Sequence, residues 1–154
     1  MIQPGSPAPA FTLPDHGGED VNLEDFRGGL VVLCFYPKDF SPTCSDQFAV
    51  YQEVKPELDA AGVTVVGISV DHSWAHRAFR EQLGIEFTLL ADFHPKGEVS
   101  RAYGAYLPER GHANRSLVLI DGEGGVRWVH TSPPTEVPGP NLIFDALEAH
   151  AQRQ

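Results

Sequence analysis

Two cysteines, Cys34 and Cys44, are all that this sequence contains. That is too few for a disulfide framework, and a reducing compartment keeps both as thiols at rest. Long hydrophobic runs are missing too. No stretch approaches the roughly 20 apolar residues that span a bilayer. The opening MIQPGSPAPAF has no basic segment leading into an apolar one, so no secretory signal is expected and a cytoplasmic location is. Asn114-Arg115-Ser116 therefore matches a glycosylation sequon by letter only. Positive charge is scarce: Lys and Arg number 11 against 21 Asp and Glu, a net charge of −10. Such a surface repels phosphate backbones and anionic lipid, which argues against nucleic acid and membrane surfaces as partners. Repeats, low-complexity tracts and linkers are absent. What remains is a chain of 154 residues, 42% hydrophobic and 21% charged, suited to one domain over residues 1–154.

The elements that are present alternate. Phe11–Leu13 and Val21–Leu23 flank the turn-rich PDHGGED and suggest an N-terminal hairpin. Leu30–Tyr36, LVVLCFY, is a continuous apolar run, as expected of a strand buried on both faces. Phe48, Tyr51, Val54 and Leu58 follow at helical spacing, with Pro56 set to kink the helix. Val63–Val70 is a second buried strand, and Ala75, Phe79 and Leu83 mark a second helix. A short strand at Phe87–Leu90 and a short helix at Glu98–Gly104 come next. SLVLI and VRWVH, joined by DGEGG, form a late hairpin, and Asn141–His150 is a closing amphipathic helix. Strand–helix–strand alternation implies parallel pairing with right-handed crossovers. The expected fold is α/β: a mixed central sheet flanked by helices, in the order used by thioredoxin-like domains, with an N-terminal β-hairpin extension.

Within this order Cys44 has an unusual place. YPKDFSPTCSD lies between the first buried strand and the first helix. Ser41-Pro42 fits an N-cap followed by proline at the first helical position, and Thr43-x-x-Asp46 fits a capping box as the alternative. Either puts Cys44 in the first helical turn. Free N–H groups and the positive end of the helix dipole favour thiolate there, and thiolate is the nucleophile. The carboxyl end of a buried strand is also where α/β folds place ligands. The plainer reading is a small buried residue beside a cap. Cys34, mid-strand in VVLCFY, reads as inert core filler.

FYPKDFSPTC resembles the peroxiredoxin signature Pro-x-x-x-Thr/Ser-x-x-Cys, carried by Pro37, Ser41 and Cys44. GSPAPAFTLPD, GISVDHSWAHRAF, FTLLADFHPKGEVSRAYG and ANRSLVLIDGEGGVRW are similar to further family segments, so the resemblance covers nearly the whole chain. LLADFHPKGEVSRAYG followed by ANR looks most like the one-cysteine alkyl hydroperoxide reductase E branch, with the bacterioferritin-comigratory-protein branch as neighbour. The resemblance implies a thiol-dependent peroxidase without metal, flavin or haem. Cys44 would be the peroxidatic cysteine, oxidised to a sulfenic acid by a hydroperoxide. The Ser41 hydroxyl would hydrogen-bond sulfur and peroxide. Arg115 would stabilise the thiolate and the developing oxygen charge. Pro37 would roof the pocket. A homodimer is also implied, with Phe40, Phe93 and Tyr106 in loops as candidate interface aromatics.

Two departures from the family pattern matter. Many members carry glutamate three residues after the cysteine, and this chain has Gln47, able to orient an arginine without adding charge. The neighbouring branch often has a resolving cysteine five residues on, and this chain has Ala49. The reductant should then be an external thiol, a low-molecular-weight one or a thioredoxin- or glutaredoxin-type protein. Other chemistries fit less well. His72 and His76, with Asp71 beside them, could share a helix face, yet no further ligands of suitable spacing join them, so no metal site is expected. A disulfide reductase would need cysteine at Gln47. A Cys–His hydrolase would need a histidine at Cys44 that the sequence cannot place. The non-enzymatic alternative is a redox-sensing or chaperone-like module using the same thiol.

Overall fold

The computed structural model describes residues 1–152. Two short strands, β1 (Thr12–Pro14) and β2 (Asp20–Asn22), form an antiparallel ribbon of their own, followed by a 3₁₀ turn at Leu23–Phe26. β3 (Leu30–Phe35) leads into α1 (Pro42–Glu53), α2 (Lys55–Ala60), β4 (Val63–Ser69) and α3 (Ser73–Leu83). β5 (Thr88–Ala91), α4 (Glu98–Ala102), β6 (Tyr106–Leu107) and β7 (His112–Ala113) come next. β8 (Arg115–Ile120), β9 (Val126–Ser132) and α5 (Pro140–Gln152) complete the order. The central sheet runs β5-β4-β3-β8-β9. β3 and β5 are parallel to β4, and β8 is antiparallel to both β3 and β9.

Burial on both faces explains the uniform apolar run of β3. Side chains alternate along a strand. Val32, Cys34 and Tyr36 join one core layer, with Phe48 and Tyr51 of α1, Leu58 of α2, Phe79 of α3 and Ile143 of α5. Val31, Leu33 and Phe35 join the other, with Leu13 of the ribbon, Val99 of α4 and Tyr103. The fold class expected from the sequence is the one observed: a mixed sheet with helices on both faces and the ribbon appended. Cys34 therefore faces the layer that holds α1.

Details differ where local signals are short or compete. The helix expected to kink at Pro56 is two helices, broken at Val54. Proline lacks an N–H and its ring collides with the carbonyl four residues back, so Pro56 ends α1 and starts α2 in its first turn. The β6–β7 hairpin was not expected, because two-residue strands carry no periodicity. Tyr106 consequently lies in β6, half-buried, with the Arg101 guanidinium 4.1 Å from its ring centroid, and is not a free loop aromatic. Phe40 and Phe93 are about half exposed, and Trp74 is more exposed than either.

Gly67 shows how tightly α1 sits on the sheet. A Cβ at that position would lie 2.7 Å from Leu89 and 2.9 Å from the ring tip of Phe48. Gly67→Ala is expected to destabilise the fold by about 1–3 kcal/mol, the usual cost of overpacking a dense core. Chemical denaturation measures this, and a midpoint equal to that of the parent protein would contradict the close packing.

Candidate active site

α1 begins as cap chemistry dictates. Ser41 has extended backbone angles and Pro42 opens the helix. The Cys44 N–H donates to Ser41 Oγ at 3.2 Å, satisfying one of the orphan donors of the first turn. The alternative capping box at Thr43 and Asp46 is not used. As an acceptor in this bond, the Ser41 hydroxyl keeps its own proton available. Ahead of it, the Tyr36 OH donates to Asp39 Oδ1 at 2.6 Å, and Asp39 Oδ2 lies 2.7 Å from His76 Nδ1. The Asp39 N–H donates to Asp71 Oδ2 at 2.8 Å. These bonds hold the 37–41 turn in a shape that forces Phe40 to φ +67°, a costly conformation for an aromatic residue.

Register brings the arginine to the thiol. Phe35 of β3 pairs with Ser116 of the antiparallel β8, so Arg115 lies level with the end of β3, where the turn to α1 begins. Its Nη1 donates to Cys44 Sγ at 3.3 Å and to Gln47 Oε1 at 2.8 Å. Its Nε and Nη2 both donate to the Pro134 carbonyl, at 3.1 and 2.8 Å. Arg115 is 1% exposed, and Cys44 and Gln47 are fully buried. Gln47 Nε2 turns the other way and donates to Cys34 Sγ and Tyr51 Oη, each at 3.1 Å. The Tyr51 hydroxyl donates to the Pro138 carbonyl at 2.7 Å. Burial pushes the Cys34 thiol far above the ordinary thiol range, opposed only in part by the Arg115 charge. Cys34 is thus a protonated thiol in a strand, accepting one hydrogen bond.

A cavity of about 330 Å³ opens over this cluster. Pro37, Ser41, Thr43, Arg115 and Pro134 line it, together with Leu107 and His112 of the β6–β7 hairpin. All four residues singled out in the sequence thus converge: Ser41, Pro37 and Arg115 line the cavity, and the fully buried Cys44 does not line it but contacts Ser41 and Arg115. A larger cavity of about 450 Å³ lies around Gly28, Asp121 and Leu147, at the opposite end of β3, away from Ser41 and Arg115.

Sequence reasoning missed the Pro134 carbonyl, which has no side-chain signature, and read Tyr51 only as core. The histidine pair is also resolved. His72 is exposed and caps α3, its Nδ1 accepting from the Trp74 N–H at 3.1 Å. His76 is buried, with Nε2 donating to the Leu90 carbonyl at 2.9 Å. The two do not share a site. Asp39, Asp71 and His76 do cluster, but their hydrogen bonds to one another and to the protein account for the grouping.

A thiol at a helix start, an arginine donating to its sulfur and a cavity above them can bind and polarise a small electrophile. Comparison with known proteins identifies the chemistry. Residues 4–129 match the AhpC/TSA family. Alkyl hydroperoxide reductase E of Mycobacterium tuberculosis is 35% identical over 150 residues, covering 97% of this chain and 98% of the relative. A protein of Coxiella burnetii described as putative peroxiredoxin bcp is 37% identical over 144 residues, 90% of this chain and 93% of the relative. The crystal structure of reduced 2-Cys peroxiredoxin from Plasmodium vivax superposes with a TM-score of 0.88 at 24% identity, covering 99% of this chain and 83% of that one. The chain belongs to the AhpC/TSA family of peroxiredoxins, and its activity is that of a thiol-dependent peroxidase.

Proposed function

We propose that the chain works as one domain through a one-cysteine mechanism, with Cys44 as the peroxidatic residue and an external thiol as the reductant. The observation that carries this is the Arg115 Nη1 contact with Cys44 Sγ, 3.3 Å long, under a cavity. The sulfur attacks the nearer peroxide oxygen. An S–O bond forms, the O–O bond breaks, and sulfur supplies the electron pair. The leaving alkoxide or hydroxide takes a proton and departs as alcohol or water, leaving a sulfenic acid. Arg115 stabilises the negative sulfur and the charge growing on oxygen. Ser41 offers its hydroxyl proton to the peroxide, and Pro37 closes one wall against water. An external thiol then displaces hydroxide from the sulfenic sulfur, giving water and a mixed disulfide, and a second thiol releases Cys44.

Ala49 supports external resolution, since it sits on the exposed side of α1 and carries no thiol. Cys34 is held between β4 and β8 by strand pairing, which opposes its reaching Cys44. Peroxide added without reductant should therefore leave one extra oxygen on Cys44, trappable by a dione, and excess peroxide should add a second. Intact-mass spectrometry tests this. A loss of two hydrogens with a Cys34–Cys44 crosslink would overturn the one-cysteine reading. We further propose a cytoplasmic homodimer, supported by the half-exposed Phe40 and Phe93 and the acidic, reduced character of the chain. Among the described residues, no helix is long and apolar enough to cross a membrane.

A further inference from the structure

Arg115 can offer five N–H groups in a rigid fork. Contacts with Cys44, Gln47 and Pro134 use four of them, and the fifth has no partner among the described residues. Which N–H is left for a peroxide oxygen depends on how the fork is rotated. The Pro134 carbonyl sets that rotation by accepting from Nε and Nη2 together. Pro134 is exposed and belongs to no helix or strand, so its carbonyl is only as fixed as the 133–139 segment. That segment is tied down at its other end, where the buried Pro138 carbonyl accepts from the Tyr51 hydroxyl at 2.7 Å. Tyr51 lies one helical turn beyond Gln47 on α1, and the Gln47 amide bonds to it at 3.1 Å. The contacts close a ring. α1 holds the guanidinium directly through Gln47, and again through Tyr51, Pro138 and the Pro134 carbonyl.

We propose that Tyr51 is a positioning residue for the peroxidase reaction: by pinning the 133–139 segment it fixes the orientation of the Arg115 fork beside Cys44. The inference rests on the assignment of Cys44 as the peroxidatic thiol. It gives the Tyr51 hydroxyl a role that its packing against Phe48 does not require, since a phenyl ring packs equally well. The oriented fork matters more for a peroxide, whose oxygens gain charge in the transition state, than for an alkylating agent that meets only the sulfur.

The test is Tyr51→Phe, which removes only the hydroxyl. Rapid-quench mass spectrometry measures sulfenate formation on Cys44, and a parallel reaction with iodoacetamide measures plain alkylation. The peroxide rate should fall about tenfold and the alkylation rate less than twofold. In an Arg115→Lys background, which lacks the fork, Tyr51→Phe should cost less than a further twofold. An unchanged peroxide rate, equal losses in both reactions, or an undiminished loss beside lysine would each overturn the proposal. A measurement on the unmodified protein is independent of variant folding: the Arg115 Nε–H should exchange slowly with solvent by NMR, and fast exchange would overturn the clamp. Absence of sulfenate in the unmodified protein would instead overturn the Cys44 assignment, and the clamp with it.

Discussion

Cys44→Ser should lower peroxide consumption by at least about 10³-fold, because a serine hydroxyl has neither the nucleophilicity nor the redox chemistry of the thiol. Cys34→Ser should retain most of the activity. The serine hydroxyl can still accept from the Gln47 amide, as the Cys34 sulfur does at 3.1 Å, although burying it in the core lowers stability. The asymmetry has a physical basis beyond position. Burial raises the Cys34 thiol far above the ordinary range, so it stays protonated even where exposed thiols ionise. One equivalent of an alkylating agent at mildly alkaline pH should therefore land on Cys44. Peptide mapping after peroxide or alkylation reads both outcomes. Full activity in Cys44→Ser, or preferential labelling of Cys34, would contradict the division of labour.

Arg115→Ala should slow sulfenate formation by about 10²-fold, the scale seen when one preorganised donor to a developing anion is lost. Two consequences separate it from an ordinary truncation. The fully buried Gln47 carbonyl loses its donor, while the carbonyl of the exposed Pro134 can turn to water, so stability should fall by about 1–3 kcal/mol. Arg115→Lys restores a positive charge without the fork, and should recover stability better than rate. Stopped-flow peroxide kinetics paired with thermal denaturation distinguishes the two effects. A rate within twofold of the parent in Arg115→Ala would remove the arginine from the mechanism.

How much of this was legible in the sequence varies by residue. Ser41 and Pro42 announce a helix start because capping is local: the signal and the structure occupy the same four residues. β3 announces double-sided burial because no residue in it is polar. Arg115 announces nothing by itself. A lone arginine before a strand is ordinary, and only the family resemblance singled it out; its meaning comes from pairing with a strand far away in the chain. Gln47 was partly readable. Strand alternation puts Cys34 on the face that α1 covers, but only coordinates show one amide serving Arg115 on one side and Cys34 on the other. The Pro134 carbonyl was beyond reach, because every residue has a carbonyl and only the path of the chain selects this one. The β6–β7 hairpin was missed for a related reason: its strands are too short to show alternation.

The antiparallel seating of β8 against β3 separates the two halves of the site by 71 residues of chain. A segment holding β3 and α1 already has the cap, the helix start and the thiol. It lacks the cation, because Arg115 reaches the sulfur only when β8 has closed the sheet between β3 and β9. Contacts this distant in sequence form late, since their loop entropy must be met before they stabilise anything. A chain emerging from the ribosome therefore presents Cys44 well before it presents Arg115, and during that interval the sulfur meets cellular oxidants without its arginine. On the proposed role of Arg115, the reactive site is therefore completed only with the sheet, one step after the helix that carries the thiol.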